Sequence, residues 1–288
     1  MSMDILQEKI RKMKCPIVLD LSVQMSQIPA CVQESADQRA FGVYCKELLN
    51  GLKGIVPAVR FNFDQFAMMG GQELETLTEL LQLAKNLGYY TLVDSPAIPT
   101  SWAAQRAADL LQEGSAFVCD GMIISPYIGS DAIKPFLSYC KDGKSLFVIV
   151  RSPNKTAAEL QDLLSGSRLV HIATADIVKR HGETIVGKSG YSQIGALTSA
   201  TSASAVSGLR TKYNRMFLLV DGLDYPGGNG KNASLGFDRY GHGCAVCVGS
   251  SITAAWQEAQ TDGTDYVQQA QRAAERIRNN LSRYISIL

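Results

Sequence analysis

Short apolar runs alternate with segments of helical period along nearly the whole chain. The segments between the runs keep one apolar face, as in residues 73–84, where leucines recur three or four positions apart. Strands that alternate with helices indicate parallel βαβ units, and eight of them favour a closed (β/α)8 TIM barrel of class α/β over an open sheet. The runs with the composition of buried strands are 17–21, 55–59, 89–93, 121–124, 146–150, 194–197, 216–220 and 244–248.

Three stretches lie outside this alternation. Residues 157–190 contain no convincing strand and predict an extra helix before the sixth strand. The C-terminal stretch, rich in Gln, Ala, Arg and Glu, predicts a helix that covers the barrel. Residues 1–15 alternate charged and apolar positions, which indicates an amphipathic helix and not a secretory signal. We see no internal repeat and no linker, so the sequence predicts one domain, 1–288, with extra helices.

Charge and composition exclude several classes of partner. The formal net charge is +1, so no electrostatic footprint for nucleic acid or an anionic membrane exists. No apolar run reaches the ~18 residues of a membrane span. Seven cysteines, an odd number in a chain too large to need disulfides, indicate reduced thiols and a cytoplasmic protein. A small anion remains a possible ligand, because backbone amides and one or two basic side chains can bind it.

Polar residues follow the predicted strands, which is the expected arrangement if the βα loops form one site. Asp94 ends the third run and is either a site carboxylate or the cap of the helix that follows. Asp20 ends the first run, and its apolar neighbours suggest no capping role, which favours a site residue. Arg60 is either a ligand for an anion or an ion-pair partner of Asp94 or Asp20.

Neither a metal site nor an activated nucleophile is predicted. Cys244 and Cys247 have C-x-x-C spacing, but the period of a strand sends their side chains to opposite faces. His171, His181 and His242 have no nearby Ser or Cys in a recognisable nucleophile arrangement. His242 precedes the last strand and is therefore expected at the end of the barrel away from chemistry.

Several motifs resemble the second bacterial type of orotidine 5′-phosphate decarboxylase. Residues 125–131 read S-P-Y-I-G-S-D, 135–137 read P-F-L, and 151–154 read R-S-P-N, similar to the family's PYLGxD…PFL and R-T-S-N segments. Residues 199–201 (S-A-T) with 209–210 (L-R), and 218–228 (L-L-V-D-G-L-D-Y-P-G-G), are similar to its G-A-T…L-R and L-V-P-G-x-G-x-Q-G-G. Upstream, V-L-D at 18–20 and V-R-F-N at 59–62 resemble G-L-D and V-K-P-Q.

The resemblance implies a barrel of the pyrimidine biosynthesis lineage that converts orotidine 5′-phosphate to UMP without a cofactor or metal. It implies a small phosphorylated ligand and a homodimer with the site near the subunit interface. The site residues that it implies are Asp94 and Arg60 as catalytic residues, Asp20, Asn62, Ser125, Arg151, Asn154 and Thr201 as substrate-binding residues, and Gly227, Gly228, Gly249 and Ser250 as phosphate-binding residues.

The catalytic motif of the family, D-x-K-x-x-D with a lysine after the second strand, is altered. The first Asp is Asp94, but the lysine is Pro96, the second Asp is Pro99, and the second-strand lysine is Arg60. A proline carries no proton to donate, and an arginine stays protonated at any working pH. We therefore expect weak or no decarboxylase activity, that is, a pseudoenzyme. The alternative is a non-catalytic or repurposed barrel that binds a nucleotide or sugar phosphate.

The phosphate-binding end is altered as well. Ser250 stands where the family has an arginine, and Pro226 replaces the glutamine of the loop. Gly227, Gly228 and the turn at 249–251 remain, and their backbone amides could still hold a phosphate. Arg151 and Asn154 either contact a ligand or brace their loop. Ser125 and Thr201 are small polar residues, and the usual role of such residues is backbone capping.

Overall fold

Eight parallel strands close into a barrel, as predicted. The computed structural model describes residues 1–36 and 39–288. The barrel strands are β1 Ile17–Asp20, β2 Ala58–Asn62, β3 Tyr90–Asp94, β4 Gly121–Ile124, β5 Ser145–Ile149, β8 Ile194–Ser199, β9 Leu218–Asp221 and β10 Cys244–Val248. Each pairs with the next in that order, and β10 pairs with β1 to close the cylinder.

Four strands, β2, β3, β8 and β9, extend further toward their carboxyl ends than the apolar runs predicted, whereas β1 and β5 end one residue earlier. The second run was predicted at 55–59, but β2 begins at Ala58, because Pro57 has no amide hydrogen to donate to a neighbouring strand. At the other end, β2, β3 and β9 finish on polar residues that an apolar pattern does not count, namely Asn62, Asp94 and Asp221.

Helices surround the barrel. They are α1 Ser2–Met13, α2 Ala30–Ala36, α3 Ala40–Gly51, α4 Phe63–Met69, α5 Gly71–Leu87, α6 Ser101–Asp109, α7 Leu137–Lys141, α8 Ala158–Gln161, α9 Val170–Gly182, α10 Ala203–Lys212, α11 Gly230–Ser234, α12 Ser250–Thr253, α13 Ala255–Glu258 and α14 Tyr266–Leu281. Short 3-10 turns occupy Met25–Gln27, Gly129–Ala132, Lys134–Phe136 and Lys155–Ala157.

The predicted extra elements are present. Helix α9 is the extra helix before the sixth barrel strand, and α1 and α14 are the predicted terminal helices. A small hairpin of β6 Leu164–Ser165 and β7 Arg168–Leu169 was not predicted, because two-residue strands leave no periodic pattern. Within the described residues, no helix is long and apolar enough to cross a bilayer.

The barrel interior is closed at its amino end by α1. Met3, Leu6 and Ile10 of that helix are fully buried and pack into the interior cluster with Tyr90 and Phe147. Residues of each strand alternate between this interior and the outer layer under the helices. Since the amino end is filled, the interior is accessible only from the carboxyl ends of the strands.

Candidate functional site

Four charged side chains meet inside the carboxyl end of the barrel, and we call them the Arg60 cluster: Asp20, Arg60, Asp94 and Asp221. The Arg60 guanidinium donates from Nε to Asp94 Oδ1 at 2.9 Å and from Nη2 to Asp94 Oδ2 at 2.6 Å. Its Nη1 donates to Asp221 Oδ2 at 2.9 Å and lies 3.1 Å from Asp20 Oδ2. Three carboxylates therefore share one guanidinium.

Barrel closure brings the cluster together. Asp20, Asp94 and Asp221 are each the last residue of a strand, in β1, β3 and β9. Arg60 is paired in register with Asp20, and its long side chain crosses the mouth to reach the other two. Strand alternation turns all four side chains inward, and their side-chain exposure is only 11–17%.

Burial and charge perturb this cluster strongly. Burial alone would lower the pKa of Arg60, but the three carboxylates outweigh it and raise that pKa well above its usual value. Burial raises the pKa of Asp94 to about 6; Arg60 opposes this rise, and Asp20 and Asp221 add to it. The guanidinium stays charged, so Asp94 is a group of the cluster that can exchange a proton near neutral pH.

A second cation is missing from the cluster. In the part of the chain that the structure describes, no lysine ammonium lies within 4.0 Å of Asp20, Asp94 or Asp221. Pro96, which the resemblance in the motifs places at the lysine, follows Asp94 in an irregular segment that leads into α6. The cluster can hold and orient charge, but all three nitrogens of the Arg60 guanidinium already donate to carboxylates.

The backbone beyond the last strand holds a carboxylate. Asp224 Oδ2 accepts a hydrogen bond of 2.6 Å from the amide of Gly249, and its Oδ1 accepts one of 3.3 Å from the amide of Ser251. Two of the amides at which the sequence suggested a phosphate are thus occupied by a side chain of the chain itself. Ser250, between them, is exposed.

Gly227 and Gly228 lie in the loop that carries Asp224. Gly227 has φ +90°, a conformation that favours glycine, and a β-carbon on Gly228 would collide with the carbonyl of Gly222. The Gly228 amide donates to the Tyr225 carbonyl at 2.9 Å. In this structure both glycines therefore shape the loop, and whether they contact a phosphate stays a prediction.

Arg151 and Asn154 brace their own loop. The Arg151 guanidinium is buried and makes two hydrogen bonds of 2.9 Å to the carboxylate of Asp162. Asn154 Oδ1 accepts from the Ser152 hydroxyl at 2.6 Å, and Asn154 Nδ2 donates to Thr156 at 3.1 Å. The sequence left two roles open for these residues. Their contacts in the structure are those of the loop-bracing role, and contact with a ligand stays a prediction.

The remaining predicted binding residues surround the mouth. Asn62 ends β2 and caps α4 by accepting from the Gln65 amide at 3.1 Å. The Thr201 hydroxyl lies 2.8 Å from that of Ser199. Ser125 is exposed directly after β4. Their contacts are local, and a role in ligand binding stays a prediction.

One histidine makes a contact with a serine that was not predicted. His181 Nε2 lies 3.0 Å from the hydroxyl of Ser130, a pair separated by 51 positions in sequence. This pair joins α9 to the Gly129–Ala132 turn outside the barrel.

Cys244 and Cys247 do lie in the outer and inner clusters respectively, as predicted. Among residues 1–36 and 39–288, no three His, Cys, Asp or Glu side chains are arranged so that they could hold a metal ion.

Two residues of the site were not predicted from the sequence. Asp221 completes the Arg60 cluster and Asp224 occupies the amides beyond β10. A signal for Asp221 was present, because it ends its strand as Asp20 and Asp94 do. No comparable signal existed for Asp224, whose partner amides lie 25 and 27 positions further along the chain.

Comparisons with known proteins agree with the resemblance in the motifs. No protein-family model matches the chain. A relative named orotidine 5′-phosphate decarboxylase from Caldicellulosiruptor saccharolyticus is 28% identical over 255 residues, 84% of this chain and 82% of the relative. A relative of that name from Petrotoga mobilis is 25% identical over 287 residues, 98% of each chain.

A solved structure supports the fold. The Leishmania donovani OMP decarboxylase matches with a TM-score of 0.71 at 20% identity, and the match covers 96% of this chain and 99% of that one. At this identity the likeness concerns the fold alone. Together with the sequence relatives, it confirms the resemblance: this chain is a relative of the proteins named orotidine 5′-phosphate decarboxylase along most of its length, and it has their barrel fold.

Proposed function

We propose that this chain is a barrel of the orotidine 5′-phosphate decarboxylase lineage that does not decarboxylate orotidine 5′-phosphate at an enzymatic rate. The observation that carries the proposal is the saturation of Arg60 by Asp20, Asp94 and Asp221. The cation that could face a substrate carboxylate is engaged, and no lysine among the described residues lies beside it to deliver a proton.

The size of the missing contribution supports this proposal. A positioned proton donor typically accelerates a reaction by ~10²–10⁴-fold. Arg60 cannot supply this, because its pKa is raised well above its usual value. To hold a substrate it would also have to leave a buried carboxylate without its partner, which is unfavourable.

The test is an absorbance assay with orotidine 5′-phosphate. We expect no turnover above the uncatalysed background, while the Caldicellulosiruptor saccharolyticus relative, assayed in parallel, serves as the positive control. Turnover by the purified chain that disappears in the Asp94→Asn variant would refute the proposal, because the activity would then arise from this site and not from a contaminant.

A second candidate function is binding of a phosphorylated ligand, such as a nucleotide or a sugar phosphate, without conversion. The contact between Asp224 and the amides of Gly249 and Ser251 supports it, because a carboxylate oxygen accepts hydrogen bonds from these amides as a phosphate oxygen would. A ligand at 100 times its Kd should stabilise the fold by ~2.7 kcal/mol, which a thermal-shift assay with UMP detects. Absence of any shift with phosphate compounds would contradict this candidate.

We further propose that the chain forms a homodimer in the cytoplasm. Support comes from large apolar side chains that are exposed on the loops and helices after three successive strands: Met68 (87% exposed) after β2, Trp102 (71%) after β3 and Tyr127 (82%) after β4. Exposed large apolar side chains that follow neighbouring strands are typical of a protein interface. The cysteines are all unpaired thiols, which favours a reducing compartment.

A further inference from the structure

The loop between β9 and α11 folds tightly upon itself at the barrel mouth. The Tyr225 amide donates to the carbonyl of Gly222 at 3.2 Å, and the Gly228 backbone packs against the same carbonyl. These contacts involve no atom of the Asp224 side chain. Backbone contacts therefore hold the shape of the loop without the Asp224 side chain, and the position of the Asp224 carboxylate does not determine that shape.

The Asp224 carboxylate reaches from this loop to the neighbouring strand end. It accepts the Gly249 and Ser251 amides at 2.6 Å and 3.3 Å. A β-carbon built on Gly249 would lie 3.5 Å from both Asp224 Oδ2 and Asp20 Cβ, so this carboxylate stands beside the Arg60 cluster. The side chain is partly buried, and its bonds to the amides are charge-assisted.

We infer that Asp224 is an internal competitor for the phosphate group of any ligand at this mouth. The inference rests on the second candidate function, the binding of a phosphorylated ligand. A phosphate oxygen and a carboxylate oxygen both accept hydrogen bonds from the Gly249 and Ser251 amides, and the two groups cannot occupy these amides together. Asp224 must leave before a phosphate binds.

Charge strengthens the competition. A phosphate monoester carries up to two negative charges near pH 7 and would enter beside the carboxylates of Asp20 and Asp224. Arg60 offers little compensation, since its donors already contact three carboxylates. Removing the Asp224 charge therefore both frees the amides and lowers the repulsion.

The test compares the wild-type chain with Asp224→Asn and Asp224→Ala in isothermal titrations with inorganic phosphate and with UMP at constant ionic strength. Asp238→Asn is the matched control, because Asp238 also accepts two backbone amides, at 2.8 Å each, but at the opposite end of the barrel. We expect the Kd for UMP to fall by about tenfold or more in Asp224→Ala, corresponding to a hydrogen bond to a charged group. Asp224→Asn should show a smaller fall, since its amide oxygen can still accept, and Asp238→Asn none.

A second measurement separates competition from a merely structural role. In the nuclear magnetic resonance spectrum of Asp224→Ala, the amide signals of Gly249 and Ser251 should shift on addition of UMP, while the wild type needs more UMP for the same shift. Equal Kd values for wild type and Asp224→Ala would overturn the inference and leave the phosphate-binding function intact. Failure of Asp224→Ala and Asp224→Asn to bind either compound would refute both.

Discussion

Replacing Arg60 by methionine tests whether the Arg60 cluster has the charge balance that its geometry indicates. Methionine replaces the aliphatic stem of arginine and carries no charge, so the variant leaves the carboxylates of Asp20, Asp94 and Asp221 facing one another without a cation. Removing one partner of a buried ion pair typically costs 3–5 kcal/mol. Because Arg60 is 9% exposed and contacts three carboxylates, we expect a loss of about 4 kcal/mol in the free energy of unfolding near pH 7.5.

The expected loss is large enough to measure by thermal unfolding. For 288 residues, an unfolding entropy of about 2.1 cal/mol/K per residue totals about 0.6 kcal/mol/K, so the Tm should fall by about 7 °C. The deficit should shrink as the pH is lowered from 7.5 to 5.5. Burial with Asp20 and Asp221 already raises the folded-state pKa of Asp94, and without the opposing effect of Arg60 it rises further, so protonation of Asp94 on lowering the pH relieves the repulsion.

An exposed ion pair provides the control. Arg276 pairs with Glu258 at 2.7 Å with both side chains more than half exposed, so Arg276→Met should leave the Tm unchanged. If Arg60→Met unfolds at the wild-type temperature at pH 7.5, or if its deficit does not depend on pH, the three carboxylates do not depend on Arg60 and our account of the cluster is wrong.

Two further predictions concern the pH response and the subunit interface. Burial, with Asp20 and Asp221, raises the pKa of Asp94 to about 6 against the opposing effect of Arg60, so the folded chain retains a proton that the unfolded chain loses above pH ~4. The free energy of unfolding should therefore fall by about 3 kcal/mol as the pH rises from ~4 to ~6. Chemical unfolding of Asp94→Asn should not show this fall. If the variant and the wild type had the same dependence on pH, the raised pKa would not belong to Asp94. In sedimentation equilibrium the wild type should be a dimer and the double variant Trp102→Glu with Tyr127→Glu a monomer. The control Tyr284→Glu, at an exposed side chain that follows α14, should stay a dimer, and a dimeric double variant would exclude Trp102 and Tyr127 from the interface.

Much of the fold was predictable because its determinants are local. A buried parallel strand needs a short apolar run, and a covering helix needs an apolar face, so both leave a periodic record in the sequence. The boundaries were less predictable, since β2 starts after Pro57 and ends on the polar Asn62. The hairpin of β6 and β7 depends on packing beside α9 and not on any pattern of its own.

The site was predictable only in part. Asp20, Asp94 and Arg60 were recognisable because each lies at or near the end of a predicted strand. The sequence left open whether Arg60 binds an anion or pairs with a carboxylate, and the answer depends on which side chains face it across the mouth. Likewise, no residue next to Arg151 in the sequence indicates that its guanidinium will donate to the carboxylate of Asp162, 11 positions further along the chain.

The amino-acid sequence by itself determined that this chain closes into a barrel and that Pro96, and not a lysine, stands two positions after Asp94. Only the tertiary structure decided what surrounds Arg60 and what occupies the amides of Gly249 and Ser251. Arg60 and Asp221 are 161 positions apart, and they meet because the last strands close back on the first. The charge balance of the mouth is therefore a property of barrel closure, which no single segment of the chain contains.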